Sequence, residues 1–455
     1  MSIKFGQGII LTYLALVLTL GGASAAGFGA NTTLQFLGAA LIAWIFWSDR
    51  KPGAFSTGLR LFLIALAGVA ALQFLPLPPF FWHLLPGRDS IERGFQLAGM
   101  AQPWLTLSLN PWGTLQSLAW LLPAIALFVA MRSNQAPAIR HAVWVIVALA
   151  YASVLLAGLQ VLQDTGYFYA ITNRGNGVGP FANSNHFGSF MLVAMALAAA
   201  QWLHDVPAQR PGRKTLPVVL QLAGLLAPLV LGVFLSNSLA CMLLMLPVLF
   251  GIYLLARPDF KIRWPWLALG GLVFSVGLAW LLASGLVAND LMTKSGTAGI
   301  SRGEFLANGL HMLKDFAPFG SGLGTFREIY PWYEDPAGVG TTYVNHAHND
   351  WLEFLIETGV FGVALLVIFG RWFIATAWAG WSGSRGDNLL ALGATIAIGA
   401  VAAHSLVDYP LRTAAISSLI ALSCVVARRP AEPRGTTARS LDEQGAGKRE
   451  AMLQI

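Results

Sequence analysis

The chain has 455 residues, 56% of them hydrophobic and only 11% charged, where soluble domains carry about 25% charged residues. That balance excludes a water-soluble fold of this size, and a mean hydropathy of +0.63 with 48 glycines points to helices packed closely in a bilayer. The net charge of +7 suits a nucleic-acid partner only if the basic residues share one accessible face.

Apolar runs of about 20 residues predict twelve spans, near 8–26, 32–48, 59–76, 114–131, 140–162, 184–203, 216–235, 239–256, 265–287, 351–371, 388–407 and 411–427. The expected fold is all-α: a polytopic integral membrane protein with about twelve transmembrane helices and a long periplasmic loop. Residues 1–287 form an N-terminal bundle of about nine helices, 288–350 the loop, 351–427 the C-terminal helices and 428–455 a disordered cytoplasmic tail. Lys4, the apolar run Ile9 to Leu20 and the small residues Ala23, Ser24 and Ala25 also fit a cleavable signal peptide. Cys241 and Cys424 lie inside apolar runs and read as small buried hydrophobes rather than as a disulfide or a metal site.

With Lys4 cytoplasmic, alternate connections collect the lysines and arginines, as the positive-inside rule requires. The cytoplasmic side receives 20 basic and 8 acidic residues, the outer side 8 basic and 13 acidic. The excess positive charge therefore sets topology, and no nucleic-acid partner is expected. Both termini are placed in the cytoplasm.

Three outer connections are long enough to carry function. The first, about 77–113, holds Phe80, Phe81, Trp82, Trp104 and Trp112, which suit the headgroup region. The second gathers Asn173, Arg174, Asn176, Asn183, Ser184, Asn185 and His186 where a span begins, and Asn183 or Ser184 is expected to cap that helix. The third contains Ser301-Arg302-Gly303-Glu304 and the glycine-rich Phe319-Gly320-Ser321-Gly322-Leu323-Gly324-Thr325-Phe326, and it ends in Val344-Asn345-His346-Ala347-His348-Asn349-Asp350-Trp351-Leu352-Glu353. Asp350 and Glu353 have capping-box spacing, with Asp350 as the cap of a helix entering the membrane.

Several chemistries fit these residues. A histidine before a helix at the membrane surface either belongs to a capping cluster or serves as a general base, since its ordinary pKa near 6.5 suits proton abstraction. Metal binding by His346, His348 and Asp350 lacks a further His or Cys pair at ligand spacing, so no metal and no cofactor are expected. The alternating glycines let amides approach an anion or simply build an irregular turn. Arg302 can hold a phosphate in bidentate fashion or pair with Glu304. His404, Asp408 and Arg412 recur at i, i+4 and i+8 around Tyr409-Pro410; they form an Asp408–Arg412 ion pair or line a polar site.

His348-Asn349, nine residues, then Gly359-x-x-Gly362, after a long outer loop with Ser301-Arg302-Gly303 and Pro318-Phe319-Gly320-x-Gly322-x-Gly324-x-Phe326, resembles the O-antigen ligase and polymerase family of bacterial membrane glycosyltransferases. Gly179-Pro180-Phe181-Ala182-Asn183-x-Asn185 is similar too. The resemblance implies an inner-membrane enzyme that transfers a glycan from an undecaprenyl-pyrophosphate carrier to an acceptor hydroxyl, without metal and with inversion, on a side of the membrane that supplies no nucleotide sugar. It implies His348 as base, Arg302 on the pyrophosphate, and Arg174, Asn183, Asn185, His346, Asn349, Asp350, Asp408 and Arg412 as substrate-binding residues. His348 would be oriented by Asp350 or Asn349, and Gly359 and Gly362 would allow close helix packing. Relatives carry Ser-Arg-Gly early in a middle span where this chain has Ser238-Leu239-Ala240, so Arg174 or Arg412 stands in for the missing arginine.

Polymerisation of exopolysaccharide or O-antigen repeat units is the favoured reaction, with ligation to lipid A core and transfer to protein as alternatives. Implied partners are the lipid-linked glycan, a glycan or lipid acceptor, membrane lipids and polysaccharide export machinery. A lipid-linked glycan flippase would need no base, and a structural assembly subunit would tolerate loss of both Arg302 and His348.

Overall fold

The computed structural model describes residues 3–24, 28–48, 56–134, 136–206, 215–257, 302–336, 343–382 and 388–428. The expected span near 265–287, the start of the third outer loop and the tail beyond residue 428 lie outside them.

The N-terminal part runs through α1 (Ile3–Leu20), α2 (Phe28–Ser48), α3 (Thr57–Leu72), α4 (Pro79–Trp82), α5 (Asp89–Leu97), α6 (Pro111–Trp120), α7 (Leu122–Ala130), α8 (Ile139–Gln163), α9 (Ser184–Asp205), α10 (Thr215–Leu235) and α11 (Leu239–Ala256). After these come α12 (Arg302–Phe316), α13 (Phe326–Ile329), α14 (Asp350–Ser382), α15 (Leu389–His404) and α16 (Ala414–Ala427). The described sheet is one antiparallel pair, Pro76–Leu77 with Leu105–Thr106. Six helical stretches are long and apolar enough to cross a membrane: α2, α6 joined to α7, α8, α9, α11 and α14. The shorter apolar helices α1, α3, α10, α15 and α16 accompany them, so eleven of the expected spans fall on apolar helices. The chain is a multi-pass membrane protein.

The bundle is built around α9. A helix that is apolar all round must be covered all round, and 94% of the apolar window of α9 is buried among α8, α10, α11 and α15. Small residues allow the approach: a Cβ on Gly393 of α15 would run into Ala200 Cβ and the Ala196 carbonyl of α9. Burial of α9 carries its first turn, with Asn185 and His186, into the middle of one end of the bundle.

That end is tied together by backbone. Ala182 donates to the Gly22 carbonyl at 3.0 Å, and Ala415 donates to the Gly21 carbonyl at 3.0 Å. Tyr169 hydroxyl donates to Leu20 O at 2.8 Å and Asn345 Nδ2 to Ser24 Oγ at 3.1 Å. The end of α1 and the starts of α9, α14 and α16 thus meet, although they are far apart in sequence.

The connection between α3 and α6 has a small core of its own. Phe80, Phe81, Trp104 and Trp112 are exposed, as expected, but Trp82 is buried with the Arg88 guanidinium 5.4 Å from its ring. Arg88 donates to Pro86 O and Leu107 O at 2.9 and 2.7 Å, so the pair forms the small core of this connection. The connection is also bonded to the glycine-rich stretch: Leu109 N donates to Ser321 O at 2.9 Å and Thr114 Oγ1 to Leu323 O at 2.8 Å.

Candidate active site

The site forms where α14 begins. Asn349, not Asp350, caps this helix: its Oδ1 accepts from Leu352 N at 3.0 Å, while its Nδ2 donates to Leu406 O at 2.9 Å. Asp350 is drawn elsewhere by the turn between α15 and α16. Its Oδ2 accepts from Ser405 Oγ at 2.8 Å and Leu411 N at 3.1 Å, and its N donates to Ser405 O at 2.9 Å.

Asp350, Glu353 and Glu357 follow at i, i+3 and i+7 and share one face of α14. Three buried carboxylates need compensation, and Arg412 supplies it. Its guanidinium lies 3.6 Å from Asp350 Oδ1, 3.3 Å from Glu353 Oε1 and 3.3 Å from Glu357 Oε2. The expected Asp408–Arg412 pair does not form, because Pro410 opens a short 3-10 turn over Pro410–Arg412 and the two side chains no longer share a helical face.

The remaining oxygens are taken up locally. Glu353 accepts from His346 Nδ1 at 2.8 Å and from Ala347 N at 2.8 Å, which fixes the backbone between the two histidines. Glu357 Oε1 accepts from Gly324 N at 2.8 Å and Phe326 N at 3.4 Å. Ser321 N and Gly322 N donate to the carbonyls of Ile356 and Glu357 at 3.0 and 2.9 Å. The amides of the glycine-rich stretch therefore bind a carboxylate and helix carbonyls of the chain itself, which argues against their holding a substrate phosphate.

Gly359 serves the same junction. It breaks α14 with φ 56° and ψ −139°, a conformation that an L side chain resists, and Val360 N then donates to Pro318 O at 2.7 Å. A Cβ on Gly359 would collide with the Pro318 and Phe319 backbone. The close approach this glycine permits is to the Pro318–Phe319 backbone, whereas Gly362 sits against Thr358 and Phe354 of its own helix.

His348 stands apart from the arginine cluster. Its backbone is left-handed, φ 50°, and its ring stacks on Phe305 at 5.1 Å and meets Tyr409 edge-on at 4.9 Å. Nδ1 is buried and lies 3.6 Å from Asp408 Oδ1, while the side chain as a whole is 23% exposed. The accessible part of the ring thus lies away from Nδ1. The side chain beside Nδ1 is thus that of Asp408, whereas Asp350 and Asn349, expected there, bond to the turn after α15 and to the first turn of α14.

Asp408 is buried and well connected. Asn185 Nδ2 donates to its Oδ2, Tyr409 N donates to its Oδ1 at 2.8 Å, and His186 Nε2 lies 3.7 Å from Oδ1. Burial alone would raise this carboxyl; the His186 and His348 imidazoles beside it outweigh burial and hold the group well below the ordinary carboxylate range. His346 is lowered as well, but by burial itself, which outweighs the neighbouring Glu353.

The other expected site residues are placed as follows. Asn183 caps α9, its Oδ1 accepting from Asn185 N at 2.8 Å. Arg302 opens α12, one turn before Phe305, which touches His348. Arg174 is exposed, with its guanidinium 5.3 Å from the Tyr167 ring, and the contacts described here do not link it to the histidines. Glu353, Glu357, His186 and Tyr409 were not among the expected site residues. The acidic i, i+3, i+7 stripe at the head of an apolar helix is the sequence signal for the first two. Among the described residues no group of three or more His, Cys, Asp or Glu could hold a metal ion.

No curated protein matches the chain. Residues 224–367 match the family model described as O-antigen ligase, a segment that contains Arg302, the glycine-rich stretch, His348 and Gly359 and stops short of Asp408 and Arg412. Over that segment, about a third of its length, the chain is similar to the O-antigen ligase family.

Proposed function

We propose that the protein transfers a glycan from an undecaprenyl-pyrophosphate carrier to an acceptor hydroxyl at the outer face of the bacterial inner membrane, and that the acceptor is a second lipid-linked repeat unit, so that chains lengthen. The observation that carries this reading is the His348–Asp408 pair: one ring nitrogen buried against the Asp408 carboxylate and the rest of the ring partly accessible. A carboxylate on Nδ1 fixes the tautomer that leaves Nε2 free to take a proton and stabilises the imidazolium that results. The 3.6 Å separation is longer than a hydrogen bond and is of the kind that tightens when substrate binds.

In the proposed step the acceptor oxygen bonds to the anomeric carbon as its proton passes to His348 Nε2. The bond from that carbon to the phosphate oxygen breaks, and the lipid pyrophosphate departs with the electron pair, giving inversion. Charge developing on the leaving group needs a cation. Arg412 is already matched by three carboxylates, so Arg302 and Arg174 are assigned to the pyrophosphate, and Arg412 to holding the site together. Asn183, Asn185, His346, Asn349, Asp350 and Asp408 shape the cavity that receives the sugars.

The test is turnover by the purified chain in liposomes, with a synthetic lipid-pyrophosphate donor offered either more donor or lipid A core. Lengthening products are expected; a single addition to core would make the protein a ligase, and no turnover with either acceptor would overturn both. Turnover is expected to survive EDTA, and reversible loss would return His346 and His348 to consideration as ligands. A flippase would retain its activity in His348→Ala, whereas the proposed transferase loses it.

A further inference from the structure

The mechanism above leaves His186 without a task, and its setting is unusual. It lies in the first turn of α9, is 1% exposed, and neither ring nitrogen has a hydrogen-bond partner among the described residues. A buried imidazole in that state is costly unless it does something an apolar residue cannot. Its Nε2 is 3.7 Å from Asp408 Oδ1, the same oxygen that His348 Nδ1 approaches to 3.6 Å. Its ring meets the Tyr409 ring edge-on at 4.9 Å, and His348 meets that same ring at 4.9 Å.

We infer that His186 is a positioning residue that shares the Asp408 carboxylate with His348 and sets how much of its charge and which direction of its oxygen the base receives. The inference rests on the assignment of His348 as base. With its hydrogen on Nε2, His186 donates toward Oδ1 and withdraws part of the negative charge from His348. An Asp408 freed of this donor grips the protonated His348 more tightly, so a smaller fraction of the base is available near neutral pH. Other groups around this pair are Tyr409 beside Asp408, His346 against Tyr409, Cys241 of α11 and, through the Asp350 amide on Asp408 O, the Asp350–Arg412 layer.

Wild type, His348→Ala, His186→Leu, His186→Gln and His186→Asn are compared as full chains in liposomes containing the lipid-pyrophosphate donor, with turnover followed against pH. His348→Ala is expected to be inactive at every pH, and activity there would overturn the parent reading. His186→Leu is expected to move the acid limb of the profile upward by about one pH unit, lowering neutral turnover about threefold or more. His186→Gln, whose amide reaches the Nε2 position, should restore the limb, and His186→Asn, whose amide reaches only the Nδ1 position, should not. Equal profiles for wild type and His186→Leu, or losses in Leu, Gln and Asn alike with an unmoved limb, would overturn this inference while leaving His348 as base. If His186→Leu fails to assemble, the contrast between Gln and Asn decides alone, equal behaviour overturning it.

Discussion

At the scale of single residues, the site separates two charge systems that share the Tyr409 ring. His348 and His186 attend Asp408, while His346 and Arg412 attend Glu353. If the first system performs the chemistry, Asp408→Asn keeps the shape of the carboxylate but loses its charge and its hold on the tautomer. Turnover should then fall about 10²–10⁴-fold with chain assembly intact by size-exclusion chromatography, and near-normal turnover would remove Asp408 from the mechanism. The second system has a different signature. Burial lowers His346 in the folded chain relative to an unfolded value of about 6.5, so the folded state binds fewer protons than the unfolded state between those two values. Its stabilisation is complete above the ordinary histidine range and is lost as pH falls through that range toward the lowered folded value. The melting temperature in detergent should therefore drop on acidification below about pH 7, and His346→Gln should flatten that part of the curve. An unchanged slope in the variant would assign the acid sensitivity to another group.

At the scale of elements, the structure turns on the junction of α14 with the glycine-rich stretch and the turn after α15. The apolar helices are legible in the sequence because length and hydropathy suffice to define them, and the His-x-His segment is legible because it abuts a helix start. The partners are not legible. Asp408 reaches His348 and Asn185 across long sequence separations, and i, i+4 spacing around Pro410 leaves both an Asp408–Arg412 pair and a polar-site wall open, because spacing does not give side-chain direction beyond a proline turn. The glycines were ambiguous for a related reason: an amide-rich turn accepts any anion, and the occupant here is Glu357, 33 residues away from Gly324. Gly359 tests this junction. Alanine there must adopt a backbone conformation costing about 1–3 kcal/mol and must also displace Pro318 and Phe319. Gly359→Ala is expected to lower thermal stability and to reduce turnover by detaching the loop from α14, whereas Gly370→Ala, in open space on the same helix, should leave both unchanged. Equal behaviour of the two variants would show that the break at Gly359 is not needed.

At the scale of the whole molecule, the distribution of charge carries the argument from topology to function. Of 28 basic residues only eight fall on the side assigned to the outer face; Arg412 is enclosed by carboxylates and Arg88 is buried under Trp82. Few cations remain there for a pyrophosphate, which is why Arg302 and Arg174 are singled out and why orientation matters to the mechanism. The exposed aromatics of the first outer connection lie on the same side of the chain's alternation as the site, and backbone bonds to the glycine-rich stretch keep the two together. If that side faces outward, single cysteines at Arg93 and Glu334, introduced after replacing Cys241 and Cys424 with alanine, should react with a membrane-impermeant maleimide in intact cells whose outer membrane has been permeabilised. A cysteine at His204, at the opposite end of α9, should react only after the inner membrane is opened. The reverse labelling pattern would place His348 and Asp408 in the cytoplasm, where nucleotide-activated sugars are at hand, and would remove the reason for a lipid-pyrophosphate donor.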